Sequence, residues 1–270
     1  MVRFVPLALA FLLALGSAAA TSAADATVRL VYRGSHAKPV VALTFDDGYS
    51  ASNCAKILDT LERRHVTATF FPYAWSVSAA PAFWRRVAAD GYPIANHTTS
   101  HPDMTRLSLA DAISEITRAR RIIERITRQP MIRVFRPPYG AWNATVLEAS
   151  REAGFPTVLL WDVDTRDWSH SATASSVLRA GLRGSNGSVI LMHCGPSVTP
   201  QILDQLITGY EKRGFGFVTV PQLLGGTVPA SAFQPPPPEP SPPAPVVQAT
   251  TTEVSAMSVA VIHPTSDWPI

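Results

Sequence analysis

Two adjacent carboxylates, Asp46 and Asp47, follow an apolar run in the stretch VALTFDDGYS. The run Val41–Phe45 predicts a strand that Gly48 ends, and parallel sheets keep their chemistry at the carboxyl ends of strands. Successive side chains of an extended segment point apart, so one acid can bind a cation while its neighbour accepts a proton. The pair therefore indicates metal-assisted chemistry with a separate general base.

Two histidines, His97 and His101, lie four residues apart in NHTTSHPDM. Imidazoles at this spacing can converge on one cation if the segment turns helically, and catalytic zinc commonly takes three protein ligands and leaves one position open. The acidic pair at an equivalent strand end can supply the third ligand. Taken alone, the two histidines are equally consistent with surface or capping residues.

Three further clusters follow in chain order. Arg136 stands at a predicted strand end in FRPPYGAWN, where two prolines stiffen the loop and leave the backbone N–H of Tyr139 in a turn that could bind an oxyanion. VILMHCG ends an apolar strand in His193. The segment WDVDTRDW contains two tryptophans and the acids Asp162, Asp164 and Asp167. Singly, these motifs also fit a surface salt bridge, a core histidine and a polar loop.

Together and in this order the motifs resemble those of the polysaccharide deacetylases, carbohydrate esterase family 4, also called the NodB homology domain. The matching patterns are Asp-Asp-Gly after a strand, His-x-x-x-His, Arg-Pro-Pro-Tyr, Asp-x-x-Asp-Trp and strand-Leu-x-His. The resemblance extends from about Pro39 to Leu224. One departure follows the last histidine, where relatives often have an aspartate and this chain has Cys194.

The resemblance implies a role for each matching residue. Asp46 is the general base, and Asp47, His97 and His101 bind one divalent metal ion, expected to be zinc. The other implied roles are the oxyanion-binding backbone N–H for Tyr139, orientation and tuning of the base for Arg136 and Asp167, the acetyl pocket for Trp168 and Leu191, and the general acid for His193.

The resemblance further implies a hydrolase that removes acetyl groups from polysaccharides or oligosaccharides. N-acetylglucosamine polymers such as peptidoglycan and chitin are the favoured substrates, with acetylxylan as the alternative because amide and ester hydrolysis pass through the same oxyanion. A pseudoenzyme that binds wall glycans without turnover would have lost a ligand or the base, and this chain has lost none. We expect a monomer with a glycan as its partner.

These side chains must be positioned by an α/β domain. From residue 39 to about 226, short β-branched runs alternate with helical segments, which predicts parallel strands joined by crossover helices. The predicted strands are VVALTF, VTATFF, YPIAN, IRVF, TVLLW, SVILMH and GFVTV. About seven such units are too few for a regular eight-fold barrel, so we predict a distorted, incomplete (β/α) barrel.

Three helix ends are recognisable in the sequence. Ser108 should cap a helix that carries an apolar isoleucine stripe, and Gly154 should follow the C-terminus of another. Thr199 with Pro200 should open a further helix.

Both ends of the chain differ from this domain. Residues 1–24 have a charged start, an apolar run and small residues before a cleavage site, which predicts a signal peptide and a secreted or cell-wall-associated protein. The run Phe4–Leu15 is shorter than the roughly 20 residues of a membrane span, which disfavours an uncleaved anchor. Residues 227–270 begin in a proline-rich stretch and predict an unpacked tail.

Composition excludes other classes. With 270 residues, 46% hydrophobic and 16% charged, the chain is long and apolar enough for one globular domain. The net charge of +3 comes with basic residues concentrated in RARRIIERITR, where alternation with isoleucine predicts a solvated helix face rather than a nucleic-acid module. The two cysteines, Cys54 and Cys194, fit two small buried hydrophobic residues or, because an oxidising compartment permits it, a disulfide, and the sequence leaves both open.

Overall fold

A computed structural model describes residues 27–225. The predicted signal peptide (1–24) and the proline-rich tail (227–270) lie outside these residues and remain predictions. No helix between residues 27 and 225 is both long and apolar enough to cross a membrane.

The described residues alternate strands with helices, as predicted. The strands are β1 (Arg29–Val31), β2 (Val40–Asp47), β3 (Thr69–Pro72), β4 (Val134–Phe135), β5 (Thr157–Leu159), β6 (Val163–Asp164), β7 (Ser188–His193) and β8 (Gly216–Phe217). The helices are α1 (Ala51–Arg63), α2 (Ala74–Ala79), α3 (Pro81–Ala89), α4 (Leu109–Thr127), α5 (Ala144–Glu152), α6 (Ala174–Gly181), α7 (Val198–Lys212) and α8 (Val220–Leu223).

All strand pairs are parallel and fall into two sheets. The larger sheet has the order β3-β2-β7-β6, with β8 also paired to β2, and the smaller sheet has the order β1-β5-β4. Single bridges from Ile94 to Phe70 and from Asn96 to Phe135 connect β3 with β4 across the gap between the sheets. The arrangement is the predicted distorted, incomplete (β/α) barrel.

The strand list differs from the prediction in detail. The segment YPIAN forms only the two single bridges, because Pro93 has no N–H with which to continue a ladder. β1 and β6 were not predicted, and both are too short to show a pattern. The carboxyl ends of β2, β6 and β7 nevertheless meet at one cavity, where the motifs lie.

Two of the three predicted helix ends are confirmed. Ser108 accepts a hydrogen bond from the Asp111 N–H at the start of α4, and Gly154 follows α5 with a φ of +80°. The third predicted helix is present as α7, which begins at Val198, but the Thr199 hydroxyl does not cap it. That hydroxyl instead donates to a buried carboxylate of the site described below.

The core fixes the carboxyl end of β2. Phe45 and Phe70 stack at 5.4 Å between ring centroids, and Trp84 of α3 meets the edge of Phe70 at 6.0 Å. Gly48 has a φ of +85°, and a Cβ at this position would lie 2.4 Å from the Trp84 ring. Only glycine fits here, so the turn after the two acids is locked against the core.

The two cysteines form the disulfide that the sequence left open. Cys54 of α1 and Cys194, directly after β7, are bonded with their Cα atoms 5.0 Å apart, inside the range that a disulfide can bridge. The backbone N–H of Cys194 also donates to the carbonyl of Asp46 at 2.8 Å. The start of α1 and the loop after β7 are therefore joined both covalently and through the β2 backbone.

Candidate active site

The strand ends surround one cavity of about 370 Å³. Asp46 and His193 are register partners on the adjacent strands β2 and β7, which explains how residues far apart in sequence meet. The cavity is lined by Asp46, Asp47, His97, His101, Tyr139, Gly140, Trp161, Asp164, Trp168, Leu191 and His193. Eight of the ten predicted site residues are in this lining, and the other two, Arg136 and Asp167, lie directly behind it.

Asp47, His97 and His101 form a cluster of potential ligands. The Oδ1 atom of Asp47 lies 3.6 Å from Nε2 of His97 and 3.3 Å from Nε2 of His101, and the ligand atoms of all three lie within 4.8 Å of one another. This Oδ1 is buried and accepts no hydrogen bond from the described residues. An unpartnered buried carboxylate oxygen facing two imidazole nitrogens fits a bound cation.

The protonation states also suit a cation. The Nδ1 atom of His97 contacts the Arg136 carbonyl oxygen at 2.7 Å, so Nδ1 carries the proton and Nε2 keeps its lone pair. Burial and the nearby His97 lower the pKa of His101, which keeps its imidazole neutral. Burial opposes ionisation of Asp47, but the imidazoles of His97, His193 and His101 outweigh it and lower the pKa of its carboxyl.

The turn between the two histidines is not helical. The sequence had suggested that a helical turn would be needed to bring the two imidazoles together, and a different backbone conformation does so. Thr98 and His101 have φ values of 70° and 63°, in the left-handed region that non-glycine residues rarely adopt. The Thr98 N–H donates to the Asn96 side chain, and the Glu115 carboxylate accepts from two backbone N–H groups of the turn. The side chains of Asn96 and Glu115 thus stabilise a strained backbone conformation, and this conformation brings both imidazoles toward Asp47.

Asp46 is held in a buried ion pair. Nη1 of Arg136 lies 2.6 Å from Oδ1 of Asp46 and also donates to the Thr44 hydroxyl. The same guanidinium donates to the carbonyls of Leu159 and Leu160 and lies 4.1 Å from the centroid of the Phe71 ring. Arg136 is fully buried, so its reading as a surface salt-bridge residue is wrong. Its geometry fixes the Asp46 carboxylate beside the ligand cluster without occupying the cavity.

His193 is held by Asp167 from the opposite side. Asp167 Oδ1 lies 2.7 Å from His193 Nδ1, while Oδ2 accepts from the His193 backbone N–H and from the Thr199 hydroxyl. Burial disfavours the imidazolium, but the hydrogen bond and charge of Asp167, with Asp46 and Asp47, outweigh it and raise the pKa of His193 to about 9. The ring is therefore protonated near neutrality and faces the cavity through Nε2, as a general acid requires.

Tyr139 has the backbone geometry expected of an oxyanion donor. Its φ of 61° is left-handed, its ring packs against His101 at 4.8 Å between centroids, and its side chain is largely exposed. Within residues 27–225 its backbone N–H donates to no protein acceptor. The N–H is thus available to a ligand in the cavity that it lines.

The cavity is also lined by three residues without a predicted role, Trp161, Asp164 and Gly140. A Cβ at Gly140 would lie 2.7 Å from the Trp161 ring, so this glycine lets the tryptophan form one wall. Trp161 comes directly after β5, and Asp164 ends β6. Position at the end of the predicted strand TVLLW was the one signal in the sequence that could have identified Trp161.

Comparison with known proteins agrees with this geometry. A family model for polysaccharide deacetylase matches residues 33–158. A chitooligosaccharide deacetylase of Bradyrhizobium is 36% identical over 200 residues, which cover 68% of this chain and 90% of the relative. The chain belongs to the polysaccharide deacetylase family. The prediction of a hydrolase family that includes carbohydrate esterase family 4 is thereby confirmed.

Longer relatives and solved structures extend the comparison. The peptidoglycan-N-acetylglucosamine deacetylase PgdA of Listeria monocytogenes is 36% identical over 187 residues, 68% of this chain, which spans only 39% of that relative. The peptidoglycan N-acetylglucosamine deacetylase Bc1960 superposes with a TM-score of 0.69 at 32% identity, covering 74% of this chain and 94% of the other. A family pseudoenzyme of Bacillus anthracis, BA3943, has the same TM-score at 28% identity, covering 74% and 70%.

Proposed function

We propose that the protein is a secreted, metal-dependent deacetylase that hydrolyses acetyl groups of N-acetylglucosamine-containing glycans. The observation that carries the proposal is the unpartnered Asp47 Oδ1 facing Nε2 of both His97 and His101, next to an Asp46 carboxylate held by Arg136. Ligands and base are therefore separate groups within one cavity.

Asp47, His97 and His101 would hold the cation, for which one carboxylate and two imidazoles favour zinc. When bound, the cation polarises an acetyl carbonyl and lowers the pKa of water. Asp46 then accepts a proton from the attacking water as a new carbon–oxygen bond forms. The Tyr139 N–H donates to the resulting oxyanion, and His193 gives its proton to the sugar nitrogen as the carbon–nitrogen bond breaks. Acetate and a free sugar amine are the products.

The remaining predicted residues support these steps. Arg136 fixes the carboxylate of Asp46 in the orientation that faces the cavity, and Asp167 keeps His193 charged until the leaving group needs its proton. Trp168 and Leu191 line the cavity with apolar surface suited to an acetyl methyl group.

The substrate is tested by acetate release from chitooligosaccharides, peptidoglycan and acetylxylan. We expect the N-acetylated glycans to be deacetylated fastest, because relatives that are 36% identical are named for those substrates. Preference for acetylxylan would assign the protein to the ester-hydrolysing alternative. Binding of these glycans without any acetate release would make it a pseudoenzyme like BA3943.

The division of labour between the two acids is tested by exchanging each for its amide. Asp47→Asn should lose the cation, because it replaces a ligand, whereas Asp46→Asn should keep the cation and lose turnover by about 10²- to 10⁴-fold. Zinc content is read by elemental analysis of the purified variants, and His97→Ala serves as a second ligand variant. Equal metal loss in both aspartate variants would contradict the assignment of Asp46 as base.

Secretion is proposed from the predicted signal peptide and is supported by the Cys54–Cys194 disulfide, since disulfides persist in oxidising compartments. Amino-terminal sequencing of the protein recovered from outside the producing cells should begin after Ala20 or Ala24. A product that begins at Met1 and stays with the cells would overturn this part of the proposal.

A further inference from the structure

Tyr49 stands at the lip of the candidate site without a role so far. It follows Gly48 directly after β2 and precedes Ser50, which caps α1, so its backbone is fixed from both sides. Its side chain is 57% exposed, and its hydroxyl makes no hydrogen bond to the described residues. An exposed tyrosine with an unused hydroxyl next to two catalytic acids is placed to contact a ligand.

The ring of Tyr49 rests on Gly195, in the loop after His193. A Cβ at Gly195 would lie 2.2 Å from both Cε1 and Cζ of the tyrosine, while the φ of Gly195 is not left-handed. Glycine is therefore required here for space and not for backbone conformation. The Gly195 carbonyl accepts from the Asn53 side chain at 2.8 Å, and the preceding Cys194 is bonded to Cys54. The tyrosine thus lies on a rigid backing.

The sheet order places this ring on one side of His193. β7, which ends in His193, lies between β2 and β6. Tyr49 follows β2, and the half-exposed Trp168 follows β6, so the two aromatic residues come from the strands on either side of the strand that ends in His193. Burial raises the pKa of Tyr49, and so do the nearby charges of Asp47 and Asp167, which agrees with a position beside both carboxylates.

The leaving group defines what must lie between these rings. In the proposed reaction His193 protonates the sugar nitrogen, which is attached directly to the sugar ring. The sugar must therefore sit against His193, and Trp168 already faces the acetyl side of the cavity. Pyranose rings present flat C–H faces to aromatic side chains, and a tyrosine adds a hydroxyl for the sugar's own hydroxyls.

From this placement we infer that Tyr49 is a specificity-determining residue that supports the sugar ring whose acetyl group is removed. The inference rests on the proposed function, because it takes His193 as the proton donor to the leaving nitrogen. In this arrangement the sugar ring contacts the β2 side of the site, whereas the acetyl group contacts the side formed by Trp168 and Leu191. Substrates without a sugar should make no use of it.

The kinetic test compares Tyr49→Ala and Tyr49→Phe on chitotetraose and on an aryl acetate that has no sugar. In Tyr49→Ala, KM for chitotetraose should rise about tenfold, and the ratio of kcat/KM for chitotetraose over aryl acetate should fall accordingly. Tyr49→Phe keeps the aromatic ring, so its KM for chitotetraose should stay close to that of the unmodified protein. Tyr32→Ala, at an exposed tyrosine that follows β1 of the smaller sheet, is the matched control and should leave the ratio as it is.

A double-mutant cycle tests whether the contact between Gly195 and the Tyr49 ring positions the tyrosine. Gly195→Ala should also raise KM for chitotetraose, because the new Cβ displaces the tyrosine ring. In the Tyr49→Ala background the same substitution should add little, since the clash is gone. Equal effects of Gly195→Ala in both backgrounds would show that the glycine acts independently of Tyr49 and would contradict the inference.

Binding separates this inference from the proposed function. Calorimetric titration of chitotetraose into zinc-loaded Asp46→Asn needs no turnover, and adding Tyr49→Ala to that variant should weaken binding about tenfold. Acetate release by the unmodified protein decides the function, whereas the loss of affinity decides the role of Tyr49. Unchanged affinity, or no binding of chitotetraose by the Asp46→Asn parent, would overturn the inference even if the protein is an active deacetylase.

Discussion

The two ends of β7 are held by two aspartates of the same eight-residue segment, with nearly the same bonds. At the amino end, Asp162 accepts from the Val189 N–H at 2.7 Å and from the Ser188 hydroxyl at 2.8 Å. At the carboxyl end, Asp167 accepts from the His193 N–H at 2.7 Å and from the Thr199 hydroxyl at 2.6 Å. Each carboxylate thus takes one backbone N–H and one hydroxyl.

The difference lies in the third partner. Asp162 pairs with Arg33 at 3.4 Å, where the two side chains keep 20% and 29% of their exposure, and a guanidinium stays charged at any working pH. Asp167 is fully buried and pairs with the imidazole of His193, which titrates. The same arrangement of hydrogen bonds therefore has two uses. Asp162 and its partners, called the structural clamp below, fix the amino end of β7. Asp167 and its partners, called the functional clamp below, fix the carboxyl end and stabilise the protonated imidazole of His193.

The largest effect is expected when the functional clamp loses its charge. Asp167→Asn should lower kcat by about 10²- to 10⁴-fold, because His193 loses the carboxylate that keeps it protonated and oriented. Steady-state kinetics on chitooligosaccharides measures the loss, and circular dichroism checks the fold. A variant that is folded and retains more than half of its activity would remove the functional distinction between the two ends.

The pH dependence of stability should sharpen the same contrast. The pKa of His193 is about 9 in the folded protein and ordinarily near 6.5. Because the folded pKa is raised, its contribution to the unfolding free energy is complete below about pH 6.5 and is lost as the pH rises through about 9. In Asp167→Asn the unfolding free energy should change less with pH between about 6.5 and 9. In Asp162→Asn it should change with pH as it does in the unmodified protein.

Denaturant unfolding in the presence of a chelator, repeated from pH 6 to 10, measures these curves without the influence of a cation. The unmodified protein provides the reference slope for both variants. If Asp162→Asn flattened the curve as much as Asp167→Asn, the titrating contribution would not belong to His193.

The structural clamp should affect stability and not turnover. Asp162→Asn should lower the unfolding free energy by about 1–3 kcal/mol, since part of a hydrogen-bonded network at the start of β7 loses its acceptor charge. Its partial exposure keeps the contribution of the Arg33 pair itself small. Ser188→Ala, which removes one donor to the same carboxylate, is the matched variant for a smaller loss.

Activity of Asp162→Asn at 25 °C should stay within about threefold of the unmodified protein, because the clamp lies at the far end of β7 from His193. The measurement is kcat on the same chitooligosaccharide as for Asp167→Asn. A hundredfold loss without unfolding would mean that the amino end of the strand also controls the site.

The sequence predicted the parts of this molecule that depend on local pattern. β2 and β7 are buried along almost their whole length, so they appear as continuous apolar runs that end in Asp46 and His193. Ser108 and Gly154 mark helix ends by their own chemistry. The grouping of Asp47, His97 and His101 could be predicted from the order of the motifs, because parallel strands bring successive strand ends to one face.

The remaining features depend on pairings distant in sequence. Asp162, Asp164 and Asp167 are alike as sequence, and only the register of β7 decides which of them meets His193. The role of Thr199 was missed for the same reason, since its hydroxyl reaches across 32 residues to Asp167. Nor could residue type reveal that Asp47 and His101 adopt left-handed backbone conformations.

Those conformations lower the stability of the folded protein at the positions where hydrolysis is proposed to occur. Asp47, His101 and Tyr139 all have φ between 61° and 72°, at a cost of about 1–2 kcal/mol for each residue with a Cβ. Glycine or asparagine would relieve that strain, but neither could replace Asp47 or His101 as a proposed metal ligand. Laboratory evolution for heat resistance alone should therefore draw Asp47 and His101 toward glycine or asparagine, and mutants with these replacements should be more stable and inactive. Retaining activity during thermal selection would require a simultaneous screen for acetate release.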